Sequence, residues 1–354
     1  MQGLRLTDSV SAALVILLII FIGGCSEPSS IKQVPTSETS EEIGVIELTM
    51  GSTWGPDEPD SIAALEWIER IERETNGRVH ITPYWGGTVI NYMKGQSQVA
   101  KGIVDIGHLG NGPGAGSLFW EMGLFFWNSP SQETCYRVYK EISSKFPEIG
   151  AEITDVKLLN IGAGTGNVIH SNTPVTSLDD LAGMSIRGTA PYYGLFKSLN
   201  AEAIALNMAE VYTSLDKMII DAAFTPYSTL KSHGFAKVTK YSTEVGMASF
   251  PVPSKAMNWD TWNSLPADIQ QIIEESLERW DLRTIEMMGG GDPEGIEYAK
   301  TLDHEFLELS QADKDKLGEI MEVECMKKAK ELDANGLPGT EIYKEIQHLI
   351  ALYK

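Results

Sequence analysis

Two stretches of the chain, KGIVDIGHL (residues 101–109) and KMIIDAAFT (residues 217–225), follow one grammar. In each, a helical stretch ends, an apolar pair precedes an aspartate, and a strand begins. A second matched pair stands upstream in the same order: NGRVHITPYW after one helical stretch, and NAEAIALNM after YGLFKSL. Any α/β unit produces one such echo; two in the same order point to two similar α/β domains. A chain of 354 residues has room for two domains with sizeable cores, and no short-period repeat accompanies them.

The flanks agree with this pattern. VIELTMGST alternates as a strand does, and DSIAALEWIERIERETNGR carries Ile62, Leu65, Trp67, Ile68 and Ile71 at helical spacing before Asn76-Gly77 stops it. The last third is helical. SLPADIQQIIEESLERWDLRTIEMM reads as a long helix with Pro266 and Asp268 in its first turn and Ser264 as a candidate cap. GGGD at 289–292 is expected to break that helix, and two further helical stretches follow it. Such a tail is expected to brace two domains from outside their cleft.

The N-terminus reads as a targeting segment. Arg5 gives a thin basic start, residues 10–24 carry no charge, and FIGGCS follows. Ile22-Gly23-Gly24-Cys25 resembles a bacterial lipobox, which implies a signal peptide over 1–24 and a lipidated Cys25 as first mature residue. Residues 25–44, rich in Ser, Thr, Pro and Glu, read as a flexible tether. The formal net charge of −21 argues against a nucleic-acid partner and against broad adhesion to anionic lipid. Cys135 and Cys325 are expected to stay unpaired. No cysteines or histidines have metal-ligand spacing, so neither a metal nor a cofactor is expected.

The chain carries no Gly-x-Ser-x-Gly elbow, no His-Glu-x-x-His and no Walker P-loop. GAGTGN and GNGPGAGS fall short of Gly-x-Gly-x-x-Gly and read first as close-packed turns, although glycines there also let backbone N–H groups face a ligand. Catalysis is therefore not expected, and ligand capture between two domains suits the chain better. The segment LDDLAGMSIRGTA then stands out, because its short strand ends on Arg187. A guanidinium at a strand end is either a structural ion-pair partner or a planar fork for a ligand carboxylate.

TSLDDLAGMSIRGTA resembles the DctP-type solute-binding subunits of TRAP (tripartite ATP-independent periplasmic) transporters. AEVYTSLDKMIIDAAFTPYSTL, MNWDTWNSLPADIQQII and ELDANGLPGTEIYKEI resemble three further family blocks, in the family's order, from about Val45 to the end. The resemblance implies a periplasmic-binding-protein type II-like α/β fold, with two α/β domains around a ligand cleft, a long hinge-spanning helix and a helical C-terminus. On this reading 45–165 is domain I, 166–250 domain II, 251–288 the return to domain I with the long helix, and 289–354 the helices bracing domain II and the hinge.

The implied function is extracytoplasmic capture of a small organic acid, without chemistry, by a membrane-anchored lipoprotein. The implied partners are the small and large TRAP membrane subunits, and the chain is expected to be a monomer. A lipid-anchored sensory binding protein and a hydrolase without a local motif are the alternatives. The resemblance puts Arg187 on the family's carboxylate-pairing arginine, Thr225 where many members carry a ligand-contacting asparagine, and Met208 on an apolar wall. Asn167 stands near a position where some members carry a second arginine, which favours a monocarboxylate over a dicarboxylate clamp. From the loops themselves, Trp54 and Tyr192 are candidate aromatic walls, and His108 and Asn111 candidate polar contacts. Tyr212, within the Glu-Val-Tyr helix, reads as structural.

Overall fold

The computed structural model describes residues 44–110, 117–206, 208–247 and 250–353. Cys25, its tether and Asn111 lie outside the described residues. Eleven strands are described: β1 (Ile46–Gly51), β2 (Val79–Tyr84), β3 (Ile106–His108), β4 (Val156–Ala163), β5 (Val168–Ser171), β6 (Ser185–Arg187), β7 (Glu202–Ile204), β8 (Ala222–Thr225), β9 (Tyr241–Glu244), β10 (Pro251–Asn258) and β11 (Glu305–Glu308). They form two sheets, ordered β2-β1-β3-β10-β4 and β7-β6-β8-β5-β9-β11. In each sheet the first three strands run parallel and the fourth antiparallel to both its neighbours, and in the second sheet β11 then pairs parallel with β9.

The two sequence echoes become the same device twice. Asp105 accepts hydrogen bonds on one carboxylate oxygen from Thr49 N and Thr49 Oγ1, both at 2.8 Å. Asp221 accepts from Ser185 N and Ser185 Oγ, both at 2.7 Å. Each aspartate pins the strand it precedes to the central parallel strand of its sheet, β1 or β6. The upstream asparagines match as well. Asn76 (φ 53°) and Asn200 (φ 56°) take the left-handed conformation that ends a helix. The following N–H reaches back five residues in both, from Gly77 to the Glu72 carbonyl at 2.8 Å and from Ala201 to the Phe196 carbonyl at 2.9 Å.

Register makes Arg187 the counterpart of Gly51. Gly51 pairs with Gly107 on β3 and Arg187 with Ala223 on β8, each two residues past the clamping aspartate. A Cβ at Gly51 would stand 3.0 Å from Ile90, so the first sheet leaves this strand end bare. The second sheet places a guanidinium there.

The helix Ala267–Lys300 joins the two lobes. Its first half packs on the helix Pro59–Glu74, where the Trp67 and Trp280 rings stack at 4.0 Å and Trp67 Nε1 donates to Ser276 Oγ at 2.8 Å. Its second half meets the turn after β8, where Ser228 N donates to Asp292 at 2.8 Å. GGGD does not break this helix, contrary to expectation. Glycine weakens a helix by only about 1 kcal/mol, and close packing here needs small residues. A Cβ at Gly289 would lie 2.4 Å from Gln132 Oε1, and one at Gly295 only 2.1 Å from the Tyr227 carbonyl.

On the same helix, buried Asp281 accepts from Ile161 N at 2.7 Å, Asn160 Nδ2 at 3.1 Å and Tyr136 OH at 3.0 Å. It thereby ties the helix to β4. Cys135 and Cys325 are buried and form no disulfide; they lie in the larger core, which residues 118–149 share with 161–224 and with the C-terminal helices.

Two predictions arise from this helix. A Cβ added at Gly290 would meet nothing within 4 Å, so Gly290→Ala should raise unfolding free energy by about 1 kcal/mol, whereas Gly295→Ala should lower it. Chemical denaturation of both variants checks the contrast, and equal effects would refute it. Burial pushes the Asp281 carboxyl up to about 6. The folded protein then holds this proton more tightly than the unfolded chain, so the contribution of Asp281 to stability falls as pH rises from about 4 to about 6. Relative to Asp281→Asn, the wild type should lose up to roughly 3 kcal/mol over that range, at about 1.4 kcal/mol per pH unit. Parallel pH profiles for the two proteins would contradict this.

Candidate functional site

Ligands of open α/β sheets bind outside the carboxyl ends of the parallel strands. Here those ends carry the Trp54 loop and His108 on one sheet and Arg187 and Thr225 on the other. Two side chains connect them. Tyr92, in the single turn Tyr92–Lys94 of the first lobe, and Arg187 of the second act on each other electrostatically. Tyr92 is 40% exposed, yet its hydroxyl pKa is raised by surrounding protein, the combination expected of a side chain lining a cleft. The sequence carried no motif marking Tyr92.

Arg187 is half-buried, and its Nε donates to the Leu206 carbonyl at 3.2 Å. Among the described residues no carboxylate pairs with it. Burial lowers its pKa, while Tyr92 and Tyr193 act in the opposite direction. A guanidinium nevertheless stays protonated at any physiological pH. The result is a fixed, partly desolvated cation with most of its donor fork unengaged. Beside it, burial and then Arg187 depress the His233 pKa, so that imidazole is neutral.

The first lobe answers with aromatic and neutral groups. His108 is buried, with Nδ1 2.5 Å from Thr53 Oγ1, the Trp54 ring at 6.0 Å and the Tyr92 ring edge-on at 5.7 Å. Burial, reinforced by Lys255, pushes its pKa down to about 3. Lys255 is itself fully buried and ion-paired with Asp60, which also accepts from Ser254 Oγ at 2.6 Å. Burial alone would raise the Asp60 pKa, but Lys255, His108 and Ser254 together outweigh it and the net shift is downward. The lysine charge is therefore neutralised beneath the site. Among the described residues no cluster of three or more His, Cys, Asp or Glu is placed to hold a metal ion.

The remaining candidates divide. Thr225 is buried, and its Oγ1 lies 2.8 Å from Thr229 Oγ1, which donates to the Pro226 carbonyl at 2.7 Å. Either hydroxyl can donate in that pair, so Thr225 is already engaged within its own lobe. Tyr192 is a core residue rather than a cleft wall. It is 4% exposed and packs edge-on against Phe224 at 5.1 Å. Its neighbour Tyr193, half-buried and electrostatically coupled to Arg187, takes the expected place. Met208 packs against the second-lobe cluster around Val211 and Leu230. Asn167 is 7% exposed at the start of β5, beside the Thr225 end of β8.

The Asp60–Lys255 pair generates a stability prediction. Lys255→Met leaves a buried carboxylate without its cation and should cost about 3–5 kcal/mol. Adding Asp60→Asn should recover much of that loss. Additive losses in the double variant, measured by denaturation, would show that the pair is not coupled.

The family of bacterial extracellular solute-binding proteins, family 7 (DctP), matches this chain over residues 50–331. The chain is 27% identical over 266 residues to an uncharacterized protein of Haemophilus influenzae, covering 72% of this chain and 78% of that one. It is 24% identical over 257 residues to a monocarboxylate 2-oxoacid-binding periplasmic protein of Nostoc, covering 69% of each. A solved TRAP solute-binding protein of an unidentified marine microbe, specific for aromatic acid ligands and complexed with 3-hydroxybenzoate, shares the fold. It has a TM-score of 0.78 and 21% identity, over 88% of this chain and 99% of that one. Two α/β lobes, each closing its parallel strands on one cleft, are thus the type II-like fold of these binding proteins, and the chain belongs to the DctP family of TRAP-transporter solute-binding proteins.

Proposed function

We propose that the chain captures a small monocarboxylate outside the cytoplasm and delivers it unchanged to TRAP membrane subunits, as a monomer tethered through a lipid on Cys25. The observation that carries the ligand class is Arg187. It is a cleft cation without a carboxylate partner among the described residues, while Lys255 is neutralised by Asp60. Its single positive charge matches one carboxylate. The Trp54 and Tyr92 rings suit an apolar or aromatic body on that acid. Two relatives support this reading: the Nostoc protein is named for monocarboxylate 2-oxoacids, and the marine protein for aromatic acids. The periplasmic location rests on family membership. The lipid anchor rests on the sequence around Cys25.

A thermal-shift screen of the chain from residue 45 onward, against small organic acids, tests the reading. Ligand at 100 times its Kd stabilises the folded state by about 2.7 kcal/mol. Arg187→Ala should weaken any hit roughly 10- to 100-fold, the range expected for a lost charge-assisted hydrogen bond of about 1.5–3 kcal/mol. Undiminished binding by the variant would exclude Arg187 as the carboxylate partner, and dicarboxylates binding tighter than equal-length monocarboxylates would exclude the one-charge site. Turnover of the bound acid would favour an enzyme.

Affinity should also stay flat between pH 8 and pH 6. Arg187 and the ligand carboxylate keep their charges there, His108, pushed down to about 3, stays neutral, and burial and Arg187 hold His233 below the usual imidazole range. A titration with a midpoint near pH 6.5 would show that an imidazole controls binding.

A further inference from the structure

Several segments of the second lobe meet in one line of buried hydrogen bonds. His170 on β5 sets its Nδ1 2.8 Å from Ser242 Oγ on β9, and the same hydroxyl lies 2.8 Å from Nε2 of His304, the residue before β11. Both ends of the line rest on backbone. His170 Nε2 is 3.2 Å from the Pro226 carbonyl, in the turn after β8, and His304 Nδ1 is 3.1 Å from the Thr239 carbonyl. His170 and Ser242 are fully buried, and His304 is buried as well.

The two ends fix the tautomers. A carbonyl only accepts, so Nε2 of His170 and Nδ1 of His304 carry the ring protons. The Thr229 hydroxyl, 3.4 Å from His170 Nε2, is itself turned to the Pro226 carbonyl at 2.7 Å. Two neutral rings are then left with one bare nitrogen each, both aimed at Ser242, whose hydroxyl has a single proton. Four contacts share three protons. A buried acceptor without a donor is costly, and one more proton, on either ring, gives every contact its donor.

We infer that His170, Ser242 and His304 form a binding site for one proton, shared by the two imidazoles and taken up as the surroundings become acidic. A second proton finds no place, because two charged rings would flank one hydroxyl and leave its own proton without an acceptor. Burial is the largest influence on both rings. It lowers His170 to about 4, opposed by the Pro226 carbonyl and reinforced by His304, and it lowers His304 against the Thr239 and Tyr241 carbonyls. The other ionisable groups packed here are His233, against the far ring Phe235, and Tyr227, edge-on to His170 at 6.2 Å. Burial keeps that phenol protonated, and the carboxylates of Glu244, Asp292 and Glu308 add to the effect. Once charged, His170 binds the Pro226 carbonyl more strongly. That turn also carries Ser228, whose N–H holds Asp292 of the helix between the lobes. Acid therefore tightens the turn that joins the second lobe to this helix.

Histidine nitrogen-15 NMR of the chain from residue 45 onward tests the inference, with His170→Gln and His304→Gln used to assign the rings. At pH 8 both rings should be neutral and of opposite tautomer, Nε2–H on His170 and Nδ1–H on His304. On acidification they should titrate together, with one midpoint below about pH 6.5 and one proton between them. In Ser242→Ala the common midpoint should split into two. Like tautomers at pH 8, separate midpoints in wild type, full charging of both rings, or no uptake by the folded protein would each overturn the inference. So would a common midpoint that survives in Ser242→Ala. Tautomers and midpoint are read from wild type, so the test stands even where the variant does not fold.

Discussion

A guanidinium fixed at the end of a strand, half-buried and without a carboxylate partner among the described residues, is the constraint around which this molecule is arranged. Elsewhere, buried charge is met on the spot: Asp60 meets Lys255, and Asp281 meets three donors. Arg187 alone among these groups faces a cleft, with only a backbone carbonyl engaged. Desolvation makes such a cation costly in the empty site and rewarding once an anion arrives. Surrounding imidazoles stay neutral because burial and the nearby cations both oppose their protonation. On the proposed reading this cation meets the ligand carboxylate, and neutral side chains around it discriminate among acids.

The two sheets explain how that charge is held. Each lobe uses an aspartate at the start of a parallel strand to grip the backbone and hydroxyl of its central strand, Thr49 in one and Ser185 in the other. The grip fixes register, and register fixes which residue ends the strand. In the first lobe that residue is Gly51, closed in by Ile90; in the second it is Arg187. One scaffold used twice thus yields an uncharged aromatic face and a cationic one. The helix Ala267–Lys300 bears on both, through the Trp67–Trp280 stack and the Asp292–Ser228 bond, which suits lobes that move as units about a common brace.

Much of this was legible in the sequence, for identifiable reasons. The paired echoes were readable because a helix stop, an apolar pair and an aspartate each have local causes, and both aspartates proved to make the same bonds. Arg187 was readable because a permanent charge at a strand end is conspicuous. What escaped was whatever depends on packing between distant segments. The glycines at 289–291 resemble a break, but Gly289 is there to let Gln132 approach. Tyr192 and Tyr193 are adjacent aromatics, and only the burial of the first against Phe224 tells them apart. Tyr92 is assigned to the cleft by its relation to Arg187, 95 positions away, which no local pattern encodes.

The central claim is that the Arg187 guanidinium and a ligand carboxylate recognise each other directly, and a cycle on both partners measures it. The best-binding acid and its primary amide would be titrated calorimetrically against wild type and Arg187→Gln. Direct contact predicts strong coupling: exchanging carboxylate for amide should cost wild type roughly 10-fold or more, and the variant little. Equal penalties in the two proteins would mean that the charge on Arg187 and the charge on the ligand do not meet.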